Sequence, residues 1–427
     1  MTSTETVQND KRLSLATRNI ALFMIAKLSS LLGVSVYTFA AGLYVLKITG
    51  SGTNFAITLV CGSVPRIIFG PIAGTIADRM NRKWLVIGAE ICSSVIMLTM
   101  FLIAISFTPS LPLIYVSSIL ISICATFFSV AFTSSIPCLV DDGRIQKAGA
   151  LNQAATSLAS ILGPVIGGLI YGFISLPNFM LLNSITFFLA AVIELFIIFD
   201  LYGVKKEVKT EAFFASIREG FQYVKENKGL FSILKTALWV NFFFCALMVS
   251  LPYIIVQKLS FSSQQYGIIE GMFAVGMLGT SIIISTRPEA KDKFRVVRNG
   301  LVILGLLLVS VSLPLIASSL PKVIIFAYYM VVTVLVGVYI ISVNIPIQVL
   351  IQRTTAEQYR GRVFGLVETI ASAISPLGMV FFGLLIDYVP TFSIPLSAGI
   401  ALFFVAIRGM KSTVKQEKMR GSQSTEM

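Results

Sequence analysis

The sequence contains no histidine, and charged residues make up only 12% of its 427 residues. Without histidine, the usual zinc, haem and Ser-His-Asp sites are largely excluded, and a proton-carrying side chain has to be a carboxylate or a lysine. The five cysteines show no CxxC spacing, which disfavours a metal or redox role. Because no phosphate-binding loop of the Walker A type occurs, ATP is not expected to be the direct energy source, and no cofactor is predicted.

Apolar residues are abundant, at 56% of the chain, and they are arranged in long runs. A membrane-spanning helix needs roughly 20 consecutive apolar residues. Twelve such stretches are found, at approximately residues 20–46, 54–78, 84–107, 111–138, 148–174, 179–200, 231–257, 264–286, 297–318, 322–351, 362–388 and 392–408. The sequence therefore predicts an all-α membrane protein with twelve transmembrane helices.

The basic residues predict the orientation of these spans. The net charge is +13, and most of the 33 lysines and arginines fall in loops on one side of the predicted spans, with only Lys47, Lys258 and Lys322 on the other. Because basic loops remain in the cytoplasm, both termini are predicted to be cytoplasmic, in a multi-pass protein of the cell membrane, with short outer loops typical of a bacterial inner membrane. Orientation and contact with anionic membrane lipid then explain the charge without nucleic acid.

The longest polar interruption lies midway along the chain and separates six spans from six. The predicted organisation is a cytoplasmic tail (1–19), an N-terminal six-helix bundle (20–201), a cytoplasmic linker (202–230), a C-terminal six-helix bundle (231–408) and a second cytoplasmic tail (409–427). Apolar residues recur at helical spacing in the linker, at Phe213, Phe214, Ile217, Phe221 and Val224. This spacing predicts a short amphipathic helix that packs under the bundle.

Weak internal similarity relates the two halves. Three pairs of identical residues fall at or within the fifth span of each half: Gln146 and Gln358, Gly149 and Gly361, and Pro164 and Pro376. Topological agreement of this kind indicates a duplicated unit of six spans.

A specific motif lies between spans two and three. The segment Gly74-Thr-Ile-Ala-Asp78-Arg79-Met-Asn81-Arg82-Lys83 resembles the signature G-x-x-x-D-R-x-G-R-K of the major facilitator superfamily, with Asn81 in place of the second glycine. A tight reversal is expected to need left-handed backbone there, which asparagine tolerates. The resemblance implies the major facilitator fold, with two pseudo-symmetric six-helix bundles. It also implies a conformational gate formed by Gly74, Asp78, Arg79, Arg82, Lys83 and Gly361, with Asp78 against the positive helix end near Gly361.

Span five carries a second motif. Its residues Gly163-Pro164-Val-Ile-Gly167-Gly168 resemble the G-x-x-x-G-P-x-x-G-G pattern of major facilitator exporters, with Ala159 in place of the first glycine. Small residues let helix backbones approach closely, and the proline permits a kink. The resemblance implies a hinge and a preference for export.

Further segments, among them Val64-Pro65-Arg66 and Arg360-Gly361-Arg362-Val363-Phe364, resemble the macrolide-efflux and siderophore-export branch. The resemblance implies a monomeric secondary transporter, not an enzyme. Such a transporter would export a small lipophilic or amphiphilic molecule in exchange for protons, by rocking of two halves about a central cavity. That branch often has an aspartate after the glycine of span one, whereas Gly33 is followed here by Val34. A coupling scheme that relies on that aspartate therefore does not transfer.

Charged residues inside the spans are the candidates for substrate binding and proton coupling. A charge at the bilayer centre costs roughly 2.5–3.5 kcal/mol, so each one suggests a functional site. The candidates are Arg66, Glu90, Glu194, Glu270 and Glu368. Arg66, near the midplane, either binds an anionic group in a water-filled cavity or forms a structural ion pair with a glutamate. The glutamates either carry protons, reach the membrane interface or pair with Lys27 or Arg66.

Two other functional classes remain open from the sequence. A lipid or lysolipid flippase of the same fold is the nearest alternative, because Arg66 would suit an amphiphile with an anionic head. A membrane-embedded enzyme is a distant alternative, since the spans contain neither histidine nor an aspartate pair. A passive channel is disfavoured because duplicated halves with hinge glycines suit alternating access better than a fixed filter.

Overall fold

A computed structural model describes residues 3–107, 109–202, 213–288, 292–316, 320–356 and 359–423. Within these ranges all regular secondary structure is helical. Eleven described helices are long and apolar enough to cross a membrane, and a shorter apolar helical stretch at Ser393–Arg408 coincides with the twelfth predicted span. The predicted all-α membrane fold is thereby confirmed.

Six long helices form the first half of the chain. They are α1 (Ser3–Thr49), α2 (Gly52–Arg79), α3 (Arg82–Ser106), α4 (Leu111–Leu139), α5 (Asp142–Tyr171) and α6 (Leu176–Leu195). Prolines at the starts of α4 and α6 suit positions where the backbone N–H has no helical partner. Helix α3 packs against both α4 and α6, which places its polar side chains inside the bundle.

The second half begins with a short amphipathic helix inside the predicted linker. Its elements are α7 (Phe213–Glu226), α8 (Lys228–Pro252), a π-helical turn (Tyr253–Lys258), α9 (Ser263–Thr286), α10 (Lys293–Ser310), α11 (Leu313–Ile316), α12 (Lys322–Thr354), α13 (Arg360–Tyr388) and α14 (Ser393–Gln423). Helix α7 packs on α8 and α13, while α12 packs on α9 and α10.

One predicted span contains a local interruption, and one local prediction was wrong. The span expected at 297–318 is confirmed at Lys293–Ile316, with a short turn between α10 and α11 just before Pro314, which has no backbone N–H and whose ring crowds the carbonyl four residues earlier. Asn81 does not adopt left-handed backbone: its φ is −66°, and its side chain accepts a hydrogen bond from Lys83 N as the N-cap of α3. The reversal is thus stabilised by a capping bond, which a glycine cannot provide.

The chain forms two compact units. The first comprises Met1–Val45 and Thr58–Lys209, and the second comprises Leu46–Ile57 and Thr210–Met427. Helix α2 is therefore divided, since its first turns pack with the second unit and the remainder belongs to the first.

The core of the first unit consists of two apolar clusters along α1. One contains Phe23, Ala26 and neighbours from α4, and the other contains Val34, Tyr37 and neighbours from α3, α4 and α6. The stretch of α1 between these clusters carries Lys27 and Ser30, both buried. A polar layer thus separates two apolar layers inside a single bundle.

Candidate functional site

Among the described residues, the fully buried charged side chains are Lys27, Glu90 and Glu194. Their relative exposures are 1%, 1% and 0%, and all three belong to the first unit. They come from α1, α3 and α6, which bring together residues far apart in the sequence. Because burying a charge without compensation is expensive, this cluster is the strongest candidate for a functional site.

Hydrogen bonds hold part of this cluster in place. Ser30 Oγ donates to Glu90 Oε1 at 2.5 Å, and Lys27 Nζ donates to Ser129 Oγ at 3.2 Å. The Lys27 ammonium also lies over the rings of Phe128 and Phe132, 5.2 and 5.8 Å from their centroids. The cation is therefore positioned by one hydroxyl and two aromatic faces.

The two carboxyl groups are left with unused acceptors. Glu90 Oε2 and both side-chain oxygens of Glu194 are buried and accept no hydrogen bond within the described part of the chain. Lys27 interacts electrostatically with both glutamates, and the glutamates interact with each other. The site thus holds one basic and two acidic groups. Its three carboxyl oxygens without a hydrogen-bond donor among the described residues can each accept a proton.

The signature loop forms a cluster at the ends of several helices in the first unit. Arg82 Nη2 lies 3.8 Å from Asp78 Oδ1, and Arg82 Nη1 donates to Ser134 O at 2.9 Å. Lys83 Nζ donates to Leu195 O, the last residue of α6, at 2.8 Å. These cations satisfy carbonyl groups near the ends of α4 and α6, where the helix dipole favours positive charge.

The remaining predicted gate residues lie at different places. Asp78 and Arg79 are exposed, and the Cβ position of Gly74 faces open space. Gly361 lies in the first turn of α13, and nothing is described beyond its backbone. The contact of Asp78 with the start of α13 stays a prediction.

The start of α13 is itself anchored by the amphipathic helix α7. Arg362 Nη1 lies 2.6 Å from Glu219 Oε2, and the rings of Tyr223 and Tyr359 stack at 4.5 Å. Tyr223 Oη also accepts a hydrogen bond from Ala356 N at 3.0 Å. The linker helix therefore positions the first residues of α13. The sequence had indicated this helix only by its amphipathic pattern.

The glycines of the predicted export motif pack α5 against α1. At Gly163 a Cβ atom would collide with the side chain of Ser35, and at Gly167 it would lie 3.0 Å from Phe39 Cδ1. Gly168 is buried as well, and Pro164 lies inside the helix. Close approach of two helix backbones is the reason for small residues here.

Two of the other predicted charges, Arg66 and Glu270, are described and are not fully buried. Arg66 is exposed on α2 and makes no ion pair or hydrogen bond with the described residues. Glu270 is half-buried and accepts a hydrogen bond from Tyr266 Oη at 3.2 Å. Glu368 lies in α13, and its side chain is outside the described part of the chain.

The sequence named Lys27 only as a possible partner of a glutamate, and the structure places it at the centre of the cluster. The signal was present, because a lysine inside an apolar span is as unusual as a glutamate there. Ser30 and Ser129 were not predicted, since serines are common inside spans and carry no distinguishing pattern.

Comparison with known proteins agrees with the helical architecture and the motifs. The sequence profile of the Major Facilitator Superfamily matches residues 23–379. The chain belongs to this superfamily. Two solved structures are similar at the level of fold. A bacterial homologue of the iron transporter ferroportin, in an inward-facing state, gives a TM-score of 0.72 at 14% identity and covers 92% of this chain and 99% of that one. The nucleoside transporter NupG gives a TM-score of 0.69 at 12% identity, with the same coverage of 92% and 99%.

Among named relatives of this major facilitator protein, efflux proteins recur. Macrolide efflux protein A of Streptococcus pyogenes is 23% identical over 385 residues, covering 88% of this chain and 92% of the relative. The multidrug efflux pump Tap of Mycolicibacterium fortuitum is 23% identical over 375 residues, covering 86% and 89%. The MFS-type transporter YfiS of Bacillus subtilis, itself uncharacterized, is 27% identical over 364 residues, covering 83% and 82%. The predicted resemblance to the macrolide-efflux branch is confirmed at this level.

Proposed function

We propose that this major facilitator transporter exports a lipophilic or amphiphilic small molecule, of the drug, macrolide or siderophore-like kind, in exchange for protons. The observation that carries the proton step is the buried cluster of Lys27, Glu90 and Glu194. Export is supported by the recurrence of macrolide and multidrug efflux proteins among the relatives and by the glycine seam between α1 and α5.

The cluster supports proton exchange because its charges are balanced only in part. Two buried carboxyl groups share one ammonium group, and Glu194 has no hydrogen-bond donor within the described residues. One negative charge in excess is strongly unfavourable in a dry interior. A single bound proton removes this excess, and releasing the proton restores it. Such a site can couple protonation to a change between two packed states of the bundle.

The experiment is the accumulation of a lipophilic dye, ethidium, in inverted membrane vesicles that carry the protein, with and without an imposed proton gradient. We expect accumulation that depends on the gradient, and at least a tenfold loss in Glu90→Gln and Glu194→Gln. The matched control is Glu226→Gln, because Glu226 is exposed at the end of α7. Glu270→Gln tests whether coupling is confined to the first unit.

The signature loop provides a second test of the same proposal. Asp78→Asn removes the charge that faces Arg82 while keeping the size of the side chain. If Asp78 acts in the gate, dye transport falls in this variant while protein yield and thermal stability remain unchanged. Unchanged transport would reject the gating role and leave the proton step standing.

A lipid or lysolipid flippase is the second candidate, and the exposure of Arg66 favours it. A guanidinium inside an apolar span is stable only next to water or an anionic group. Transport of a fluorescent lysolipid would be lost in Arg66→Gln and retained in Arg66→Lys if the arginine binds an anionic head group. Dye transport without lysolipid transport would reject this candidate.

A further inference from the structure

An aspartate at the far end of α13 caps the first turn of α2. The Asp387 carboxylate accepts hydrogen bonds from Ser51 Oγ at 2.7 Å, Gly52 N at 2.8 Å and Thr53 N at 3.0 Å. Ser51 Oγ in turn accepts from Asn54 N at 3.3 Å. The free N–H groups at the start of α2 are thus satisfied largely by a side chain from a helix more than three hundred residues later in the sequence.

Close packing accompanies this cap. A Cβ atom on Gly52 would collide with Ile386, and a Cβ atom on Gly383 would collide with Ala56, one turn further along α2. Thr53 Oγ1 also donates to Gly383 O at 3.1 Å. The two helices touch backbone to backbone here, with the charged cap at the end of the contact.

The end of α1, just before the connection to α2, also accepts a hydrogen bond from a residue much later in the chain. Gln257, in the π-helical turn after α8, donates from Nε2 to Leu46 O. Residues Leu46–Ile57 consequently pack as part of the second unit, although the rest of α2 packs with the first. No proline or glycine lies between Phe55 and Val60, so α2 crosses from one unit to the other as continuous helix.

A continuous helix divided between two units constrains their motion. Sharp bends in helices occur at proline, at Gly/Ser pairs or at π-bulges, and in α2 these features lie further along, at Gly62-Ser63, Pro65 and Pro71. The segment from Gly52 to Cys61 is therefore expected to move as one rigid piece, and its displacement requires the first turn of α2 to leave α13. The Asp387 side chain is exposed, so water can replace its hydrogen bonds when they open.

The geometry points to Asp387 as a releasable latch that controls when the first turn of α2 leaves α13. Asp387, at the end of α13, contacts the start of α2, and both sides of this contact belong to the second unit. This inference rests on the transport cycle of the proposed function, but on neither the coupling ion nor the substrate.

The test measures how often the latched segment opens, in the full-length protein reconstituted in vesicles. Ala56→Cys provides a reporter thiol, since Ala56 is 1% exposed and packs on Gly383. The native Cys245, also 1% exposed, is retained as an internal control for the integrity of the second unit, and the other four cysteines are replaced by serine. Reaction of each thiol with N-ethylmaleimide is followed by mass spectrometry of the peptides. No substrate is needed, so the result is independent of the proposed cargo.

We expect Asp387→Ala to raise the labelling rate of the reporter about tenfold, as the loss of a charged helix cap predicts, and Asp387→Asn to raise it less. Labelling of Cys245 should not change. The matched control is Asp292→Asn, because Asp292 caps its own helix α10 through Arg295 N, and it should affect neither thiol. An unchanged reporter rate in both Asp387 variants would overturn the latch. Equal increases at the reporter and at Cys245 would also overturn it, because Asp387 would then stabilise the whole unit.

Discussion

The two units differ in how completely they bury charged side chains. The first unit buries Lys27, Glu90 and Glu194 completely, whereas in the second unit none of the described charged residues is fully buried. There, Glu270 is half-buried beside a neutral tyrosine, and the carboxylates of Glu219 and Asp387 act at helix ends. The interiors of the two units therefore differ in the charge that they bury.

This difference distinguishes two roles for charged groups. Adding one proton to a buried, incompletely paired cluster changes its free energy strongly, so such a cluster suits coupling of proton binding to transport. Exposed ion pairs contribute about 0–1 kcal/mol and helix caps about 0.5–2 kcal/mol each, so these contacts open readily and suit interactions that form and break during a cycle. Variants that remove a charge from the buried cluster or from an exposed position test this distinction directly.

The largest effect is expected for Lys27→Met. This change leaves two carboxyl groups buried beside each other without a cation, which destabilises by about 3–5 kcal/mol when a buried pair is broken. Thermal denaturation of the purified protein, monitored by the loss of its size-exclusion peak, should show a large decrease in melting temperature. Adding Glu194→Gln should restore part of the loss, because one unpaired acid is removed.

The matched control in the second unit is Lys235→Met. Lys235 is exposed and lies over the ring of Phe231, with 4.4 Å between its Nζ and the ring centroid. An exposed cation–π contact is worth about 0.5–1 kcal/mol, so the melting temperature should change little. Equal shifts for the two lysine variants would contradict the contrast between the two interiors.

An intermediate effect is expected for Gly163→Ala. The new methyl group meets Ser35 across the α1–α5 seam, and overpacking of this kind costs about 1–3 kcal/mol. The second unit offers a comparable seam between α13 and α8, where a Cβ on Gly378 would lie 2.9 Å from Cys245 Cβ. Because that seam is less tight, Gly378→Ala should lower the melting temperature less.

A compensating change sharpens this comparison. Ser35→Gly removes the side chain that the new methyl group would meet, so the double variant Gly163→Ala/Ser35→Gly should recover stability. Loss of transport in that double variant, despite recovered stability, would show that the seam serves motion as well as packing. The single variant Ser35→Gly measures the cost of a glycine inside α1. A double variant that is no more stable than the sum of the two single effects predicts would mean that the collision with Ser35 is not the cause of the loss.

The sequence predicted the helices well because lipid leaves a long apolar run few alternatives to a spanning helix. The signature loop and the glycine seam were visible as local patterns. The buried cluster was not, because Glu90 and Glu194 are brought together by the packing of α3 on α6, which no local pattern records. Asp387 was missed for the same reason, since its partners Ser51, Gly52 and Thr53 belong to a loop and helix of the other half of the sequence.

A small effect is expected at Asn81, where the chain departs from the family signature. Asn81 caps α3 through Lys83 N, and Asn227 caps α8 in the second unit through Gly229 N and Leu230 N. Replacing an asparagine cap by alanine costs about 1 kcal/mol and by glycine only a few tenths. Asn81→Ala and Asn227→Ala should therefore lower the melting temperature by similar amounts, and Asn81→Gly by less. If Asn81→Gly instead raised it, the position would prefer left-handed backbone, as glycine does, and the capping role inferred from its φ of −66° would fail.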